Sequence, residues 1–76
     1  MEKIRNILAE TFHICESDIT LDIKMKDIDS WDSLTHMEMI ANLESELNIE
    51  FSANDIMQMT DVTNIEKIVE DKLNGN

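Results

Sequence analysis

The chain has 76 residues, 42% of them hydrophobic, with one glycine and no proline. That is apolar material for one modest core and too few turn-forming residues for sheet corners, so the composition argues for a single domain of helices joined by polar loops. Seventeen acidic residues against six basic ones give a net charge of −11, which repels nucleic acid phosphates and anionic membranes and attracts proteins with basic patches.

The charge is concentrated in mid-chain: no Lys or Arg falls between Lys26 and Lys67. A single cysteine, Cys15, excludes an internal disulfide framework and suits a reducing cytoplasm. With no apolar run of leader or transmembrane length, neither secretion nor a membrane span is supported. Six methionines suggest an adaptable interior.

Helix 1 is predicted from Glu2 to about Ile14, with Ile4, Ile7, Leu8 and Phe12 on one face at spacings of three and four. Cys15 follows as a partly buried structural thiol. Residues Glu16 to Ser30 read as a long loop. Ile19 to Met25 alternate like a strand, but one strand without a partner would leave its backbone unpaired. A loop strapped over the bundle is expected instead, with Ile19, either Leu21 or Ile23, and Ile28 tucked in.

Helix 2 is predicted from about Ser33 to Leu47, capped by Asp32 or by Asp29 with a slightly earlier start, and terminated by Asn48. Its apolar positions Leu34, Met37, Ile40, Ala41, Leu43 and Leu47 follow a helical period. Ser52-Ala53-Asn54-Asp55 fits a capping box for a short helix 3 reaching about Met59, which contributes Ile56 and Met57 or Met59. Helix 4 runs to about Leu73, capped by Thr60 or Asp61, with Thr63-Asn64-Ile65-Glu66 as a rival box. Val62, Ile65, Ile68, Val69 and Leu73 form its inward face, and 74–76 a frayed tail.

Ser33 is the residue that carries chemistry. A hydroxyl at a helix N-terminus sits where the dipole and unpaired N–H groups favour a phosphate ester. No base or oxyanion hole is evident nearby, which argues against a catalytic serine. Asp27, Asp29 and Glu38 fall at positions 1, 3 and 12 of an EF-hand, but Asp32 stands where the loop needs glycine. An EF-hand is therefore rejected, and at most weak divalent binding by clustered carboxylates is expected. No metal site, nucleotide loop or RNA- or DNA-binding platform is predicted.

The run Asp32-Ser33-Leu34, with Glu38 and then Leu43-Glu44 beyond it, resembles the attachment site of the acyl carrier proteins. The likeness continues through Ile49-Glu50-Phe51, Asp55-Ile56 and Asp61-Val62…Ile65…Ile68. It implies an all-α fold: a small four-helix bundle with three main helices, one short helix and a long loop between helices 1 and 2, forming one carrier domain over 1–76. It further implies no catalytic residues and a covalent 4′-phosphopantetheine, taken from coenzyme A by a phosphopantetheinyl transferase. Ser33 would carry the group, flanked by Asp32 and Leu34. Ser30 is a competitor that puts helix 2 out of register.

The same resemblance makes Met37, Glu38 and Glu44 a docking face for acyl- or aminoacyl-loading enzymes and acyltransferases with basic patches. His36, three residues after Ser33, either borders the arm or is an exposed bystander, and it is set aside as the second. The carrier would be a cytoplasmic monomer in fatty acid or specialised acyl biosynthesis, and its core could part to shelter an acyl chain. An aminoacyl or peptidyl carrier is the alternative, and an unmodified acidic helical adaptor the more distant one. Many fatty-acid carriers have glycine and a small residue at the positions of Ser30 and Trp31. Trp-Asp-Ser-Leu instead resembles stand-alone carriers of specialised pathways.

Overall fold

The computed structural model describes residues 2–75. Its helices are α1 (Glu2–Phe12), α2 (Ser33–Leu47), α3 (Ala53–Gln58) and α4 (Val62–Leu73), with single 3₁₀ turns at Glu16–Asp18 and Met25–Asp27. The architecture is the all-α, four-helix arrangement expected, with the long connection lying between α1 and α2.

Helix α1 buries Ile4, Ile7, Leu8, Ala9, Thr11 and Phe12 and packs along α2. It stops at Phe12, short of the expected Ile14, because His13 takes a left-handed φ of 59°. The Ile14 N–H then reaches back to Ala9 O at 3.1 Å, a Schellman-type closure. The chain turns outward there, so Cys15 is exposed and not the partly buried thiol expected. Asn48 ends α2 in the same way: its φ is 56°, and Ile49 N–H reaches Glu44 O at 3.2 Å.

The centre of the core is Leu8, Phe12, Met39, Leu43, Met59, Ile65 and Val69, all fully buried. Burying each such side chain contributes about 1.5–3 kcal/mol. The inward stripe of α2 is His36, Met39, Ile40 and Leu43, with Leu47 packed at its edge. This corrects the sequence reading in part, since it put Ala41 on the apolar face and gave Leu34 and Met37 a share in the core as well as in docking. All three are exposed, Leu34 by 72% and Met37 by 52%. Leu73 is likewise exposed, while Val62, Ile65 and Val69 are buried and Ile68 is half-buried as predicted. Met59 fills the core, and Met57 points outward.

The long loop is strapped down by its backbone. Met25 N–H donates to Thr60 O at 2.8 Å and Val62 N–H to Ile23 O at 3.0 Å, making one antiparallel bridge between Lys24 and Asp61. Thr63 Oγ1 adds a bond to Leu21 O at 2.7 Å. The alternating stretch thus finds a partner for one bridge only. Ile19 is buried, Ile23 and Ile28 are half-buried, and Leu21 faces solvent.

Caps fix the remaining boundaries. Ser52 and Asp55 form the reciprocal box at α3, and Asp61 Oδ1 accepts Asn64 N–H at 2.7 Å to start α4. Neither Thr60 nor the box from Thr63 is used. Lys72 Nζ lies 2.9 Å from Asp55 Oδ2, joining the end of α4 to α3. The Asp55 carboxyl is held below the ordinary carboxylate range, first by the Ser52 N–H and then by Lys72. At the C-terminus, Asn74 and Gly75 close α4, with Gly75 N–H on Lys72 O at 3.2 Å, where a frayed tail had been expected. Asn76 lies outside the described residues.

Candidate functional site

Ser33 is the first residue of α2, and it is exposed. The cap is Asp32, not Asp29: its Oδ1 accepts both Leu34 N–H and Thr35 N–H at 3.0 Å, while its backbone carbonyl accepts His36 N–H at 2.8 Å. Thr35 completes the box, accepting Asp32 N–H at 2.9 Å and donating to Ser30 O at 2.6 Å. Because the neighbour does the capping, the Ser33 hydroxyl is spared for other chemistry. The amides of Leu34, Thr35 and His36 are already bonded. A phosphate ester here would gain from the helix dipole but not from those three donors, contrary to the sequence-based expectation.

Thr35 N–H, above all, holds the Asp32 carboxyl below the ordinary carboxylate range. A carboxyl whose value falls on folding contributes stability that is complete above the unfolded value and is lost as pH drops through the folded one. Asp32→Ala is therefore expected to lower Tm at neutral pH, with the gap to wild type shrinking as the pH falls below about 4. Thermal melts of both proteins across that range check it; a gap unchanged at low pH would rule the cap out as its source.

The residues ahead of Ser33 are pinned from below. Ser30 Oγ donates to Phe12 O at 2.7 Å, satisfying a carbonyl at the end of α1, so this serine is structural. Trp31 is buried and stacks on Phe12 with ring centroids 4.7 Å apart and planes 24° apart. Its Nε1–H donates to His36 Nδ1 at 3.0 Å. Indole can only donate, so Nδ1 must accept, and the proton of the neutral imidazole sits on Nε2. From there it donates to Ile56 O at 3.0 Å. His36 is thus no exposed bystander. It is buried and links the loop ahead of Ser33 through α2 to α3. No buried side-chain polar atom among the described residues lacks a partner.

The other predicted residues fall on two different footings. Leu34, Met37 and Glu38 are exposed within two turns of Ser33. Glu44 lies farther along and is half-buried, its Oε2 accepting Phe51 N–H at 2.9 Å. No group of three or more His, Cys, Asp or Glu side chains among the described residues could hold a metal ion. Asp27 of the rejected EF-hand instead accepts Lys24 N–H at 3.0 Å. No helix among the described residues is long and apolar enough to cross a membrane.

Ser33 thus opens α2 with its side chain exposed, while Asp32 supplies the cap. The chain belongs to the phosphopantetheine attachment site family, whose model matches residues 2–69, and its prosthetic group is accordingly 4′-phosphopantetheine. Among its relatives is the acyl carrier protein of Petrotoga mobilis, 27% identical over 73 residues, which cover 96% of this chain and 86% of that protein. The solution NMR structure of holo acyl carrier protein from Geobacter metallireducens superposes with a TM-score of 0.86 at 29% identity. That match covers 95% of this chain and 83% of that one.

Proposed function

We propose that this protein is an acyl carrier whose 4′-phosphopantetheine is borne by Ser33. The observation that carries the reading is the division of labour at the start of α2: Asp32 caps the helix, leaving Ser33 exposed and spared. The group supplies a terminal thiol on which acyl cargo rides as a thioester. The chain's own part is attachment, reach and recognition. Asp32 and Thr35 hold the helix start rigid, Ser30 and Trp31 anchor the preceding loop to α1, and Leu34, Met37 and Glu38 meet the enzymes that come to Ser33.

The transferase that would install the arm takes it from coenzyme A, forming the phosphodiester at Ser33 Oγ with loss of adenosine 3′,5′-bisphosphate. Tethering then makes each later encounter a local, high effective-concentration event. The domain works as a monomer in the cytoplasm, a reading supported by its strongly acidic surface and lone cysteine. The run Trp31-Asp32-Ser33-Leu34, which resembles that of stand-alone carriers, supports a specialised acyl or aminoacyl pathway over primary fatty acid synthesis.

The test uses the whole chain, coenzyme A and a broad-specificity phosphopantetheinyl transferase. Intact mass is expected to rise by one phosphopantetheine. Titration with a thiol reagent is expected to find a second accessible thiol beside Cys15, the sole cysteine. A folded, initially unmodified protein that several transferases leave unchanged would instead be an acidic helical adaptor.

A further inference from the structure

The end of α1 and the long loop border a groove on which nothing so far has drawn. Its floor is apolar: Phe12, Ile14, Ile23 and Ile28 line it, and the three isoleucines are only half-buried. Its rim is acidic. Asp18, Asp27 and Asp29 line the same groove and are all exposed. Among the described residues none of the three pairs with a lysine or arginine. Asp27 uses one oxygen to accept Lys24 N–H at 3.0 Å, which fixes its carboxylate on the loop. The groove holds about 610 Å³, inside the roughly 300–1,000 Å³ of small-molecule sites.

An apolar floor under uncompensated carboxylates selects an occupant with a hydrocarbon body and a cationic head. The place of the groove narrows the choice. Ser30 lines it and stands three residues ahead of Ser33, a stretch that spans at most about 11 Å when fully extended. A group hung from Ser33 Oγ on a pantetheine chain has the edge of the groove within reach. Tethering also fills a shallow site that the same group, free in solution, would leave mostly empty. We infer that this groove is a resting site for an aminoacyl cargo, its side chain against Ile14, Ile23 and Ile28 and its α-ammonium facing Asp18, Asp27 and Asp29. The inference rests on the carrier reading and names the cargo class within it. An acyl group without the amine gains nothing from the rim. Exposed charge pairs are individually weak, so the groove discriminates between cargoes without holding either tightly, and release to an enzyme stays easy.

The test compares two cargoes that share one carbon skeleton and differ by the amine. Leucyl- and 4-methylpentanoyl-pantetheine, each joined through a stable amide, are transferred to the whole chain from coenzyme A analogues by a broad-specificity transferase. Spectra are taken at about pH 6.5, where an α-amine is charged. Relative to the unloaded holo protein, the leucyl form is expected to shift the Ile14, Asp27 and Ile28 amide resonances about threefold more than the 4-methylpentanoyl form. Trp31 gives a second readout: it is the sole tryptophan and stacks at 4.7 Å on Phe12, part of the groove floor, so its emission is expected to follow the same order. Asp27→Asn with Asp29→Asn removes two charges from exposed positions and keeps an oxygen for Lys24 N–H. It is expected to bring the leucyl shifts down to those of the 4-methylpentanoyl form. Equal shifts from the two cargoes on wild type, leucyl shifts that survive the asparagines, or shifts centred on Met39 and Leu43 in the core would overturn the inference and leave the carrier reading intact. No transfer from coenzyme A itself to folded wild type would overturn both.

Discussion

Ser33→Ala is expected to abolish phosphopantetheine transfer outright, with no mass gain under conditions that modify wild type completely. The effect is all or none because the oxygen proposed to form the ester is gone. The fold is expected to be indifferent: Ser33 is exposed, its neighbour Asp32 supplies the cap, and surface substitutions away from such features stay within about 0.5 kcal/mol. Ser30→Ala is the matched contrast. It removes the bond to Phe12 O at 2.7 Å, which costs about 0.5–1.5 kcal/mol, and leaves the mass gain intact. Intact mass and a thermal melt on the two variants therefore separate one serine that changes only modification from another that changes only stability. Modification that follows Ser30 instead would shift the attachment register by three residues.

Trp31→Ala is expected to produce the largest loss of stability of any single change in the loop ahead of Ser33. Truncating a buried aromatic residue costs about 3–5 kcal/mol. A chain of this length has only about 4–11 kcal/mol in total, at roughly 0.05–0.15 kcal/mol per residue. Two further losses accompany the cavity: the stack on Phe12 at 4.7 Å, and the donor to His36 Nδ1 at 3.0 Å. Trp31→Phe separates them. It keeps an aromatic ring against Phe12 and strands the buried imidazole nitrogen, at a cost of about 1–3 kcal/mol. Urea denaturation of Trp31→Phe, of a His36→Leu variant and of the double variant should give a coupling energy well away from zero, because the two side chains share one bond. Additive effects would mean that the bond contributes nothing to stability.

What could be read from the sequence was local in origin. Asp32, Ser52, Asp61 and Asn48 act through their own helix ends, so the span of α2 and the box at α3 were legible without knowing what packs where. The faces were harder. A helical period through Leu34, Met37, Ile40 and Ala41 competes with one through His36, Met39, Ile40 and Leu43. The second wins because Trp31 gives His36 a hydrogen-bond donor inside the core. A histidine reads as polar until that partner is known. The choice of Ile23 over Leu21 depends on a bridge to residues 60–62, far along the chain. Cys15 was misjudged because the left-handed turn at His13 carries no glycine to announce it. At the proposed site, the place of Ser33 at the start of α2 was legible from its neighbours. The brace at Glu44 was not, since its partner is the backbone amide of Phe51, which any residue but proline would supply.

The strap over the long loop has a kinetic consequence. It joins residues as much as 42 apart, and closing a loop of that size costs about 3 kcal/mol of chain entropy by the (3/2)RT ln n rule. The helices owe their structure to nearer neighbours. The bridge is thus expected to form late in folding and to open first in the native state, as a cooperative unit smaller than the whole. Amide hydrogen exchange would resolve this: the Met25 and Val62 N–H groups should exchange through a shallower opening than those of Met39 and Leu43 in the centre of α2. Residues 21–25 would then loosen and re-form while the bundle beneath them stays closed, giving this stretch of the molecule its own clock.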